Sequence, residues 1–464
     1  MAKEKSEREA KLLYNRENGY DIIDAEEKQR CEDYCRNYMR FIDLARTERE
    51  AVSLGIELAK KAGFVPFEPG MALSPGTKIY SDNRGKALML AVIGQKPLSE
   101  GSVIAAAHVD SPRLDLKPVP MYEDGELCYF KTHYYGGIKK YQWLTIPLEL
   151  HGVVALQDGT VKDIRIGSEP GEPVFQITDL LPHLNKEQRK KTAAEFVPGE
   201  SLNLLIGSKP DPEDTKDRVK LAILTLLNEK YGIVEEDFLS AELSATPAFP
   251  VREVGLDRSL IGGYGHDDRV CAYAELAAIM ETEKPQKTAV CILADKEEIG
   301  SEGVSGMKSR AFERFMGALC DAQGVKREDC FANSICISAD VCNAFDPNYP
   351  EVSEKRNAAK VNYGFALAKF TGHGGKSGSN DASAELIAKL RSLFAENGVV
   401  WQMAELGKVD QGGGGTVAVY MAERDIDTID AGVPVLSMHA PYETVGKFDC
   451  YMTYKGIKAA YAAR

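Results

Sequence analysis

One pattern constrains this chain more than any other. Short apolar runs, strand-like in composition, stop at acidic or histidine residues. Residues 288–294 read Thr-Ala-Val-Cys-Ile-Leu-Ala and lead through Asp295 and Lys296 to the adjacent pair Glu297 and Glu298. Residues 103–107 stop at His108, with Asp110 two positions on. Residues 334–339 stop at Asp340, and residues 433–438 stop at His439. A further acidic pair, Asp267 and Asp268, precedes an apolar helical stretch over 270–280. In open α/β sheets, ligands gather at the carboxyl ends of strands. Strand ends carrying His, Glu, Asp and His therefore predict a metal constellation.

The donor types narrow the chemistry. Imidazole and carboxylate without thiolate suit Zn, Co or Mn at a hydrolytic site better than a structural zinc site. Metal-assisted hydrolysis needs one carboxylate to hold metal and another to accept a proton from water. Neighbouring residues leaving a strand point to different sides, so Glu297 and Glu298 can divide those tasks.

The chain has 464 residues, which predicts two or three domains. Its net charge of −13 and lack of a basic patch exclude nucleic acid as an expected partner. Ten cysteines include no Cys-x-x-Cys pair, and several lie in apolar runs, the pattern of free thiols in a reducing compartment. The first ten residues are charged and lack an apolar signal core, and no run of about 18 apolar residues predicts a membrane span. A cytoplasmic location is the expectation.

Helical spacing predicts helix through most of the first 65 residues, after a charged arm before about residue 20. Strands follow over 78–81 and 87–94, then the run that ends at His108. From about 116 to 245 the texture changes to alternating β-prone segments separated by Pro, Gly and Lys, closed by a helix over 216–231. This block carries none of the metal-like strand ends and reads as a domain inserted into another. Helices are then expected over 268–283, 308–320, 381–397 and 448–463, and strands over 288–294, 334–339, 399–404, 416–419 and 433–438. No internal repeat is present. Gly375-Lys376-Ser377 fails as a phosphate loop, because the position five before Gly375 is Phe370. The segment from Gly263 lacks the third glycine of a dinucleotide fingerprint, with Asp268 in its place.

Taken in order, these motifs resemble the metallo-aminopeptidase family of aspartyl aminopeptidase and aminopeptidase I. The resemblance rests on Ala107-His108-Val109-Asp110-Ser111-Pro112-Arg113-Leu114-Asp115, Gly265-His266-Asp267-Asp268-Arg269, Asp295-Lys296-Glu297-Glu298-Ile299-Gly300, Ser338-Ala339-Asp340 and Leu436-Ser437-Met438-His439-Ala440-Pro441-Tyr442-Glu443. A Tyr-Gly-Gly segment, Tyr135-Gly136-Gly137, also matches. The resemblance implies an α/β fold: a phosphorylase/hydrolase-like three-layer metallopeptidase domain over 1–115 and 246–464, with a smaller β-rich dimerisation domain inserted over 116–245. It implies two divalent metal ions per subunit, Zn foremost, with Co and Mn as alternatives. Asp267 would bridge them. His108 and Asp340 would complete one ligand set, and Glu298 and His439 the other. Asp110 would orient His108, and Glu297 would be the general base.

The implied activity is removal of an acidic or a neutral, apolar residue from the N-terminus of peptides. The implied assembly is a homo-oligomer, a dodecamer built from dimers. The residues leave open a related carboxypeptidase or deacylase, and a non-catalytic metal-bound scaffold. Intact Glu297 speaks against the scaffold, which needs ligands but no base. For substrate, the glycine-rich residues 410–416 match the family's substrate region. Asn343 stands where many members carry histidine. His183 falls near the place of a histidine that reaches a neighbouring subunit, although a surface histidine is the favoured reading. Lys369 and Lys376 are candidates for an acid-binding pocket.

Overall fold

The computed structural model describes residues 7–213 and 215–463. Its centre is a nine-stranded mixed sheet. Four parallel strands form the middle, in the spatial order Thr288–Ala294, Ser102–His108, Ile335–Ala339, Asp427–Gly432. Ala87–Val92 runs antiparallel on one side, and Phe365–Ala368 on the other. Every residue of Ser102–His108 and Thr288–Ala294 is buried. That explains why these runs are apolar throughout rather than alternating: helices cover both faces.

Period-two geometry sends successive side chains to separate cores. Val103, Ala105, Ala107, Cys291 and Leu293 face helices Ala25–Leu44, Glu48–Lys61, His266–Met280 and Lys447–Tyr461. Ile104, Ala106, Val290 and Ile292 face Ala311–Gln323 and Arg327–Ala332. Burying each Val, Ile or Leu contributes about 1.5–3 kcal/mol, so this sheet is a stiff base for its strand ends. Local signals set the helix starts. Thr47 and Glu50 form a reciprocal capping box, and the Asp24 and Ser383 side chains each accept a first-turn N–H.

A six-stranded sheet is built from residues 113–247, in the order Val161–Ile166, Leu148–Ala155, Ala241–Pro247, Arg113–Asp124, Leu127–Tyr135, Leu204–Gly207. It has its own core around Trp143, Leu150, Phe130 and Leu243, and the helix Arg218–Tyr231 packs on it. A third sheet of five short strands includes Leu260–Gly263, Pro434–Leu436, Glu443–Gly446 and Cys342–Asn343.

Two expectations change. Residues 416–419 are not a strand; a short helix, Ala418–Ala422, follows Thr416. The main-sheet strand near the C-terminus is Asp427–Gly432, whereas Pro434–Leu436 belongs to the five-stranded sheet. The nearly unbroken apolar run across 428–436 hides the point where the chain changes sheets. Of the expected N-terminal arm, residues 1–6 lie outside the described residues. The Arg16 guanidinium is tied to the carbonyls of Ala358 and Arg356. Among the described residues, no helix is long and apolar enough to cross a membrane.

Candidate metal centre

The carboxyl ends of the central strands converge on one cluster. His108 ends its strand, and Asp340 directly follows Ile335–Ala339. Glu297 and Glu298 lie on a tight turn, Glu297–Ile299, entered through Lys296 at φ 66°. Asp267 sits at the start of His266–Met280 with non-helical φ −78° and ψ 106°, which aims its carboxylate away from the helix. Its peptide bond to Asp268 is cis. His439 lies on the loop after Pro434–Leu436, at φ 62°, not at the end of a main-sheet strand.

Asp267 is the hub. Its Oδ1 lies 3.2 Å from His108 Nε2, and its Oδ2 lies 3.1 Å from His439 Nε2. Asp340 Oδ1 is 3.9 Å from His108 Nε2, and Glu298 Oε1 is 3.5 Å from His439 Nε2. Two metal-capable groups result, His108–Asp267–Asp340 and Asp267–Glu298–His439, in each of which the ligand atoms lie within 4.8 Å of one another. They share only Asp267, one oxygen to each side. Glu297 Oε2 stands 3.9 Å from His108 Nε2.

Surrounding groups fix the ligands. His108 Nδ1 faces the Asp110 backbone carbonyl at 2.9 Å and its carboxylate at 3.2 Å. His439 Nδ1 faces the Gly137 carbonyl at 2.9 Å. Each contact suits Nδ1 as the donor and leaves Nε2, aimed at Asp267, as the nitrogen that a metal would take. Asp110 also accepts the amides of Glu297 and Glu298, at 3.1 and 3.2 Å. Glu443 is a residue to which the sequence assigned no role. It accepts the amides of Asp267 (3.0 Å) and His439 (2.7 Å), joining the shared ligand to the loop histidine.

The electrostatics call for cations. Burial pushes the Glu298 and Asp340 carboxyls well above the usual range, reinforced by the Asp267 and Asp268 charges respectively. Burial, together with the Asp267 and Asp110 charges, lifts Glu297 to about 6. Burial opposes charging of His439, but Asp267 and Glu298 outweigh it and raise the imidazole to about 10. Glu298 Oε1 is buried without a hydrogen-bond partner. A hard or borderline divalent ion fits this N/O donor set and supplies the missing positive charge.

The cluster opens into a cavity of about 330 Å3 whose lining includes Val341, Ala368, Ala404, Leu406 and Met438. Among the described residues, no Lys or Arg lines it. Gly413, Gly414, Gly415 and Thr416 form one wall, placing the glycine-rich segment beside the metal-capable groups. The Thr416 hydroxyl donates to the buried Asp430 carboxylate at 2.5 Å. Lys369 and Lys376 both pair with Asp381 and do not line the cavity. Asn343 sits in the five-stranded sheet, outside the cavity lining, and His183 is exposed on a loop. Asp268 accepts the His108 amide, while Arg269 donates to the carbonyls of Val109 and Tyr264.

A family model described as aminopeptidase I zinc metalloprotease (M18) matches residues 41–461. A probable M18 family aminopeptidase 1 from Clostridium acetobutylicum is 47% identical over 458 residues, covering 97% of this chain and 98% of its own length. The crystal structure of an M18 family aminopeptidase from Thermotoga maritima superposes with a TM-score of 0.93 at 45% identity, covering 97% of this chain and 99% of that one. The aminopeptidase I structure from Clostridium acetobutylicum gives 0.91 at 45% identity, covering 97% and 100%. With its metal-capable cluster at the carboxyl ends of a three-layer α/β sheet, the chain belongs to the aminopeptidase I zinc metalloprotease family, M18, and is a metal-dependent aminopeptidase.

Proposed function

We propose that this aminopeptidase works with two zinc ions, to each of which Asp267 would offer one carboxylate oxygen, and removes neutral or apolar residues from the N-termini of peptides. The observation that carries the reading is the split of the Asp267 carboxylate, one oxygen facing His108 and the other His439. His108 and Asp340 would complete one ligand set, and Glu298 and His439 the other. When bound, two such ions supply Lewis acidity, polarising the scissile carbonyl and acidifying a nucleophilic water. Glu297 takes the water's proton and returns it to the leaving amine nitrogen. Asp110 holds Glu297 in place through its amide and keeps His108 in the tautomer that presents Nε2. The glycine-rich wall offers backbone N–H groups to the peptide, because glycine lets the backbone approach closely.

The apolar lining favours an uncharged first side chain. With no Lys or Arg among the described residues of that lining, neither an acidic first residue nor a C-terminal carboxylate finds a cationic clamp there. The body formed by residues 116–245 is proposed as a separate domain that makes dimer contacts. A homo-dodecamer is the proposed assembly; a yeast relative of the same fold, mApe1, has been solved as a dodecamer. All ten cysteines are free, in keeping with a proposed cytoplasmic location.

The test is digestion of a peptide library varied only at the first residue, read by mass spectrometry, with and without chelator and metal restoration. The expected result is stepwise N-terminal trimming, lost with chelator and restored best by Zn over Co and Mn, with Leu or Met preferred to Asp or Glu. C-terminal trimming, or none under any metal, would overturn the reading. Preference for Asp or Glu would overturn the pocket assignment alone.

A further inference from the structure

We infer that Tyr135-Gly136-Gly137 is a bracket through which the six-stranded sheet positions both histidine ligands, and that the Tyr135 hydroxyl is a positioning group for zinc. The inference rests on the dinuclear reading above. Tyr135 ends the strand Leu127–Tyr135, so the segment belongs to a sheet that contributes no ligand of its own. Its hydroxyl donates to Asp110 Oδ2 at 2.7 Å, while the other face of Asp110 meets His108 Nδ1. Two residues later, the Gly137 carbonyl meets His439 Nδ1 at 2.9 Å. One three-residue turn thus reaches the Nδ1 side of both imidazoles, directly or through one carboxylate.

The glycines make this reach possible. Gly136 turns at φ +74°, where L side chains are strained, and a Cβ there would stand 3.2 Å from Glu298 Oε2. At Gly137 a Cβ would stand 3.3 Å from His439 Nδ1. The bracket is anchored from behind. The Arg113 guanidinium lies 4.3 Å from the Tyr135 ring centroid and pairs with buried Glu48 at 2.6 Å. Glu48 is on the helix Glu48–Lys61 of the main body, so the anchor ties the two sheets together. Groups that orient metal-bound histidines typically change metal affinity ten- to hundredfold when removed.

Two variants, Tyr135→Phe and Gly137→Ala, test this through zinc affinity, measured by competition with a chromophoric chelator, and through melting of the chelator-stripped and zinc-loaded proteins. The expected result is that each variant weakens at least one zinc-binding step by ten- to hundredfold. The stripped proteins should melt with stripped wild type, and only the zinc-induced rise in melting should shrink. Unchanged zinc affinity in both variants would overturn the inference. So would a fall in melting of the same size with and without zinc, which marks a merely structural role. Wild type that binds no zinc would instead sink the parent reading.

Discussion

Replacing Glu443 with alanine should loosen the metal centre without touching a ligand. The Glu443 carboxylate is 1% exposed and accepts two backbone N–H groups, from Asp267 at 3.0 Å and His439 at 2.7 Å. Removing it leaves the buried Asp267 amide and the part-buried His439 amide without this acceptor. A buried donor left unsatisfied costs about 1–3 kcal/mol, so local opening at Asp267 should become easier by about that much, and by less at His439, which water can reach. At 1.4 kcal/mol per tenfold, even the lower bound speeds exchange of the Asp267 amide by roughly fivefold. Hydrogen–deuterium exchange of the zinc-loaded protein reads this directly in peptides covering Asp267 and His439. Peptides from the buried strand Ser102–Ala107 serve as the internal control and should not change. Glu443→Gln keeps one acceptor oxygen and turns an NH2 toward the other amide, so it should fall between wild type and alanine. Exchange at both amides within threefold of wild type in Glu443→Ala would refute the reasoning.

Three further outcomes follow from the same geometry. Asp267→Ala should take zinc content from two ions per chain to none by native mass spectrometry, because both ligand groups share that residue; retention of one ion would contradict the sharing. Thr416→Val removes the hydroxyl that ties the glycine-rich wall to Asp430, and should raise KM several-fold, on the order of 1 kcal/mol, with kcat little changed and Thr416→Ser restoring binding. His151, remote from the centre, is pushed up to about 9: burial opposes its charge, but Glu149 and Glu50 outweigh it. A folded pKa raised above the ordinary value of about 6.5 stabilises fully below that pH and is lost as pH rises through about 9. The difference in urea midpoint between wild type and His151→Gln should therefore be large at pH 6 and shrink above pH 9.

The strand ends were legible because a fully buried strand has one sequence sign, an apolar run, and one place where polar residues return. That made His108, Glu297, Glu298 and Asp340 visible. His439 was found for a partly wrong reason. It follows a strand of the five-stranded sheet, and the run across 428–436 conceals a crossing from one sheet to another. The expected strand over 416–419 failed for a related reason: β-branched Thr416 and Val417 lead into a short helix, Ala418–Ala422, that itself contains Val419. Glu443, Tyr135 and Gly137 could not be assigned roles, since each acts across sheets through contacts to residues more than 20 positions away or to backbone atoms. No periodicity encodes such contacts. The absence of Lys and Arg from the cavity was equally hidden, because Lys369 and Lys376 look available until Asp381 is seen between them.

The most direct test of the whole account is Glu297→Gln, with zinc content and peptide trimming measured on the same sample. Glu297 stands 3.9 Å from His108 Nε2 but belongs to neither metal-capable group. The account predicts two zinc ions per chain, as in wild type, and trimming slowed by about 10²–10⁴, the usual contribution of a general base. Trimming within tenfold of wild type, or loss of zinc along with activity, would contradict it.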